Sequence, residues 1–219
     1  MRLLTGLILA VLAQDVVTAE SVRFGDGPVG SLPPGWSVSM THAGGQPQWR
    51  IVRDPSAPSP PFVFAQTSED RTAGRFPLAV WNGASIRNGE VSVAFKTISG
   101  IVDQAAGIVW RYRDANNYYI VRANALENNV VLYKVKNGVR ASLAPKGLPS
   151  RSYGVKHPIP SRKWMKLAVA FKDDLFTVSL NGEKLFDVED TTFANAGKTG
   201  LWTKADSVTY FDNFEVAGK

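Results

Sequence analysis

Apolar and polar positions alternate in short runs along most of this chain. Val91, Val93 and Phe95 alternate with Ser92, Ala94 and Lys96, and Met165, Leu167, Val169 and Phe171 alternate with Lys166, Ala168 and Ala170. A period of two marks strands that bury one face. Between Gly107 and Arg140 the chain reads GIVWRYRDANNYYIVRANALENNVVLYKVKNGVR. Runs of Val, Ile, Tyr and Trp are broken there by Asp-Ala-Asn-Asn, Leu-Glu-Asn-Asn and Asn-Gly, which predicts an antiparallel meander. Phe176 to Leu180 enters Asn181-Gly182 and Lys184 to Val188 leaves it, the strongest short-range hairpin signal. Further strands are expected at Trp49–Val52, Phe62–Gln66, Ala79–Ile86, Glu90–Ile98, Gly200–Thr203 and Val208–Val216. No run has convincing helical periodicity. Asp54 to Pro61 holds four prolines and is read as a surface loop. Ala141 to Pro160 is a long polar excursion, and long loops in compact domains are often functional. Many short strands separated by evenly spaced turns predict an all-β fold, a two-sheet antiparallel jelly-roll β-sandwich.

Composition narrows the setting. The 219 residues include no Cys, are 44% apolar and carry a formal charge of +6. Arg2, the apolar run Leu3 to Ala13 and the small residues around Ala19 read as a signal peptide cut after Ala19. The expected organisation is therefore residues 1–19 as signal and 20–219 as one domain, secreted or periplasmic. No later run is long enough for a transmembrane helix. An exported domain without disulfides must rely on a large packed core. The missing thiols exclude Cys nucleophiles and Cys-ligated zinc. Basic residues are scattered and no nucleic-acid-binding signature is present, so no nucleic acid is expected as partner.

The meander also carries chemistry. Arg111 follows Val109 by two, and Arg122 and Asn124 share a strand face with Tyr118 and Ile120. With Trp110, Lys134 and Lys204, these residues form a candidate ligand-binding set. Arg and Asn supply several donors, and Tyr or Trp supply flat stacking surfaces, as recognition of polar rings requires. Such residues also occur on exposed strand faces because sheets tolerate them. Glu127, Asp103 and Asp206 are candidate acids or bases. His42 and His157 lack partners at ligand spacing, so zinc is not expected.

The run GIVWRYRDANNYYIVRANALENNVVLYKV, the hairpin VSLNGEKLFDVED and the ending GKTGLWTKADSVTYFDNFEV resemble the concanavalin A-like lectin/glucanase superfamily. They are most similar to its laminin-G-like branch, which includes 3-keto-disaccharide hydrolase domains. The resemblance covers roughly residues 22–217. It implies two curved sheets with a carbohydrate on the concave one, and paired terminal strands. It also implies a structural calcium held by Asp212 and Asp26. The Glu-x-Asp-x-x-Glu run of the glucanases is absent. Three readings follow: an exported carbohydrate-binding module, a hydrolase or lyase of 3-keto-glycosides, and a laminin-G-like adhesion domain. The second would use Glu127, Asp103 or Asp206 as base, and Arg111, Arg122 or Lys204 to stabilise an enolate.

Overall fold

The computed structural model describes residues 18–25 and 27–218. Residues 1–17, which hold most of the expected signal, and Asp26 lie outside them. Sixteen strands and no helix occur among the described residues. In chain order they are β1 (Thr18–Val22), β2 (Trp36–Thr41), β3 (Trp49–Arg53), β4 (Phe62–Gln66), β5 (Phe76–Ile86), β6 (Gly89–Ser99), β7 (Ala105–Asp114), β8 (Asn117–Asn124), β9 (Asn129–Lys136), β10 (Val139–Leu143), β11 (Val155–Lys156), β12 (Met165–Lys172), β13 (Leu175–Leu180), β14 (Glu183–Glu189), β15 (Gly197–Trp202) and β16 (Val208–Gly218).

The strands form two antiparallel sheets of eight. The first runs β14-β13-β12-β6-β16-β4-β3, with β1 on β16; the second runs β10-β9-β8-β7-β15-β5-β2, with β11 on β9. This is the expected all-β jelly-roll sandwich. The terminal strands pair, with Val22 opposite Phe214. Two of the four Asn-Gly pairs form tight hairpins with two consecutive positive φ angles, 51° and 80° at Asn137-Gly138 and 50° and 82° at Asn181-Gly182. Those turns match the right-handed twist of the strands they join.

Period-two patterning fills the space between the sheets. Val91, Val93 and Phe95 of β6 and Leu167, Val169 and Phe171 of β12 meet Ile108 and Trp110 of β7, Tyr119 and Val121 of β8 and Leu132 of β9. The Trp110 and Tyr119 rings stack at 5.4 Å, and the Phe176 edge meets Trp110 at 5.4 Å.

A second core lies on the opposite face of the second sheet. Leu78, Val109, Tyr118, Ile120, Tyr133 and Trp202 are all buried there. Among the described residues no third layer covers this face; the sheet covers it by curling on itself. The His42 ring, just past edge strand β2, spans the carbonyls of Gly74 (2.7 Å) and Gly138 (2.9 Å). Thr41 donates to the Ala115 carbonyl in the β7–β8 turn (2.5 Å) and accepts the Tyr118 hydroxyl (2.7 Å). One edge of the sheet thus reaches the hairpin turns near its other edge, and the middle of the concave face is packed.

Candidate functional site

The curl leaves one end of the concave face open. There the β8–β9 turn, the loop before β7, the stretch after β15 and the loop between β10 and β11 converge. Arg122 and Asn124 project from the end of β8, and Asn129 and Tyr133 from facing positions on β9. The Arg122 guanidinium is buried and uses Nη2 three times: to Glu127 Oε2 (3.0 Å), the Tyr133 hydroxyl (2.8 Å) and the Tyr153 hydroxyl (3.1 Å). The two phenols are 2.5 Å apart. Asn124 folds back through Oδ1 to cap the N–H groups of Leu126 (2.8 Å) and Glu127 (3.1 Å). This local hydrogen bonding favours the turn at Asn124 over continued pairing. Its amide Nδ2 then reaches Asp103 Oδ1 (2.6 Å) and Glu127 Oε1 (3.4 Å).

Asp103 in turn accepts from Lys204 Nζ (2.7 Å). Asp206 accepts the backbone N–H groups of Ile101 (2.7 Å), Val102 (3.0 Å) and Asp103 (3.0 Å), and so shapes the loop that presents Asp103. A network of two acids, an asparagine, an arginine and a lysine therefore frames the opening. Glu127 and Lys204 reach solvent while Asp103 and Arg122 lie beneath: side-chain exposures are 40% and 19% against 2% and 1%.

Protonation follows from these contacts. Burial pushes the Glu127 carboxyl upward, but the Arg122 hydrogen bond and charge, together with Asn129, outweigh it and hold Glu127 below the usual range. For Asp206 burial likewise pushes upward, and the three backbone N–H groups bring the net shift down. Both are carboxylates at neutral pH and act as hydrogen-bond acceptors.

Of the residues expected from sequence, the fold brings together Arg122, Asn124, Glu127, Asp103, Lys204 and Asp206. It places the others elsewhere. Trp110 is in the core between the sheets. Tyr118 lies on the concave face but inside its packed middle. Lys134 points to the other side of β9, ion-paired with Asp190 at 2.7 Å. Arg111 does not share the face of Val109. The pairing of β7 with β8 shifts register between Trp110 and Asp114, and Arg111 has φ of +48°. This bulge turns its side chain away, over Phe176 (5.4 Å) and Phe171 (5.9 Å). There it donates to the carbonyls of Phe193 (2.7 Å), Asp173 (2.5 Å) and Arg87 (3.0 Å). A bulge inserts one residue and inverts the alternation beyond it.

Asp212 is buried in β16, its oxygens taking the N–H groups of Ser59 (2.7 Å) and Asn213 (2.8 Å). Burial raises its pKa against the pull of those donors. Asp26 lies outside the described residues. Among the described residues no group of three or more His, Cys, Asp or Glu side chains is arranged to hold a metal. Asp212 thus serves to dock the proline-rich loop, and no step below uses calcium.

Asn129, Tyr133 and Tyr153 also join the site. The alternation of β9 places the first two on the face of Arg122, once its register with β8 is known. Tyr153 lies in the polar loop flagged by its length.

No family model matches the chain, and no curated protein matches it. Solved structures do. The carbohydrate-binding module CBM66 from Bacillus subtilis is 19% identical, with a TM-score of 0.62 over 83% of this chain and 94% of that one. The cellulose-induced protein Cip1 is 13% identical, with a TM-score of 0.62 over 91% and 97%. Domain 4 of AbnA, an extracellular arabinanase of family GH43 from Geobacillus stearothermophilus solved with arabinotriose, is 12% identical, with a TM-score of 0.53 over 84% and 82%. These likenesses show the fold. No helix among the described residues is long and apolar enough to cross a membrane.

Proposed function

We propose that this protein is an exported carbohydrate-binding module whose ligand docks at the open end of the concave face. The observation that carries the reading is the half-exposed Glu127 carboxylate, fixed by Arg122, Asn124 and Asn129 beside Lys204 and the Tyr153 phenol. Neighbouring hydroxyls of a sugar each donate and accept, so they are met by acceptors and donors interleaved at ring spacing. The exposed Tyr153 ring and the exposed Ile101, Val102 and Leu126 on the framing loops offer apolar surface to a sugar's C–H face. The carbohydrate-binding and arabinanase-domain neighbours support the choice of ligand. Residues 1–19 are proposed as the export signal; a cut there leaves Glu20, whose carboxylate accepts the Trp81 indole N–H at 3.1 Å.

Glycan-array screening followed by titration calorimetry tests the reading. Glu127→Gln and Lys204→Met are each expected to weaken binding by at least tenfold with the unfolding midpoint close to wild type. Folded wild-type protein that binds no glycan, or variants that bind as it does, would sink the proposal.

A hydrolase reading has one observation in its favour: Asp103 and Glu127 both touch the Asn124 amide nitrogen. On that reading one of them serves as base toward a 3-keto-glycoside. Incubation with an oxidised disaccharide is then expected to release aglycone in wild type and not in Asp103→Asn or Glu127→Gln.

A further inference from the structure

We infer that the sugar bound at this face carries an oxyanion, a carboxylate or a sulfate, and that Arg140 together with Arg122 receives it. The inference rests on the carbohydrate reading above. It is carried by guanidinium donors that have no acceptor among the described residues. Arg122 is buried, yet only its Nη2 is engaged; Nε and Nη1 are buried without a hydrogen-bond partner. Arg140, on edge strand β10, has no carboxylate against it among the described residues. Its guanidinium carbon lies 4.5 Å from the Tyr133 ring centre, 4.9 Å from Phe76 and 5.9 Å from Trp202, and its Nη1 is likewise buried and unpartnered. The Arg122 guanidinium carbon is 5.7 Å from the same Tyr133 ring.

Two guanidinium groups thus flank one phenol at the back of the site. Among the described residues Lys204 is paired with Asp103, Arg122 with Glu127 and Arg140 with no acid. Ring faces attract a cation only weakly, and they offer nothing to its N–H donors. A buried guanidinium with unspent donors is costly unless an anion completes it. Among the described residues three aromatic rings hold Arg140 in place and no acid quenches it. An oxyanion on the ligand would supply the missing acceptor, with charge-assisted hydrogen bonds stronger than those to a neutral hydroxyl. Tyr153 stands over Arg122, so the anionic group enters beside its hydroxyl, on the side that the β10–β11 loop borders.

Matched ligands make the test. Oligogalacturonate is compared by calorimetry with its methyl ester, and a sulfated galactan oligosaccharide with its desulfated form, each at low and moderate salt. At least one acidic ligand is expected to bind tenfold or more tightly than its neutral partner, with the margin shrinking as salt rises. The pair with the larger margin identifies the oxyanion. Arg140→Gln is expected to remove the margin, while Arg140→Lys keeps part of it. Thermal unfolding of each variant confirms that it is folded. If wild type binds acidic and neutral partners equally, or if the margin survives Arg140→Gln, this inference fails and the carbohydrate reading stands. If wild type binds none of the four, this inference fails, and the glycan array decides the carbohydrate reading separately.

Discussion

Arg111 and Arg122 lie eleven positions apart in one meander, and their environments give them opposite tasks. Arg111 spends its donors on three backbone carbonyls, of which that of Phe193 is buried. Its removal takes the donor from that buried acceptor, at about 1–3 kcal/mol, and uncovers the Phe171 and Phe176 rings it lies over. Arg111→Ala is therefore expected to lower stability by about 3 kcal/mol in urea unfolding, with the ligand affinity of the folded protein unchanged. Arg122→Lys is expected to do the reverse: a lysine cannot serve Glu127, Tyr133 and Tyr153 from one planar group, so affinity falls tenfold or more while the core persists. Alternation in the sequence assigned both arginines to the ligand face. Arg122 does lie on the concave face, where β8 is regular, and Arg111 does not, because the bulge shifts the count by one.

At the scale of elements, two loops hold the site, and each hangs on a small feature. The loop between β10 and β11 returns to the sheet at Gly154, whose φ is +60° and whose added Cβ would lie 2.2 Å from the Val130 carbonyl oxygen. Only glycine fits such an approach. Gly154→Ala is expected to lift the loop, move Tyr153 off Arg122 and weaken sugar binding severalfold, at a stability loss of about 1–2 kcal/mol; calorimetry and urea unfolding separate the two effects. The loop before β7 is held by Asp206, and Asp206→Asn is expected to lose about 2 kcal/mol near neutral pH. The sign of its pH dependence follows from a folded pKa held below the ordinary 3.8. That stabilisation is present above 3.8 and is lost as pH falls through the lower folded value. The stability gap between wild type and Asp206→Asn should therefore close in strong acid. The long loop stood out in the sequence as a candidate by its length and polarity. Its anchoring glycine was not, because a single Gly in a polar stretch says nothing about which carbonyl it will approach.

For the whole molecule, the decisive feature is the second core made by the curl. It buries Tyr118 and Tyr133, while Tyr119 is buried between the sheets and Tyr112 packs at the edge of the second core. Burial raises the pKa of all four phenols above 10.0. Of the six tyrosines, these four are expected to stay un-ionised at pH about 10 in an ultraviolet titration of the folded protein. They should ionise together when alkali unfolds it, since a raised folded pKa gives stability that is lost as pH rises. Four phenols titrating normally in folded protein would contradict a packed concave face. His42 and Thr41 hold this closure across the sheet, so His42→Ala is expected to loosen it and to release Tyr118 first.

Alternation and turn chemistry are local, so the strands, the hairpins at Asn137-Gly138 and Asn181-Gly182 and the all-β sandwich were legible in the chain alone. The sequence also supplied most of the site, since Arg122, Asn124 and Glu127 lie within one strand and its following turn. Only the tertiary structure decided where the open part of the sheet lies. That depends on how far the second sheet curls, on a bulge that diverts Arg111, and on long-range approaches that bring Arg140 to Phe76 and Tyr153 to Arg122. Those contacts join residues separated by tens of positions, and no local pattern records them.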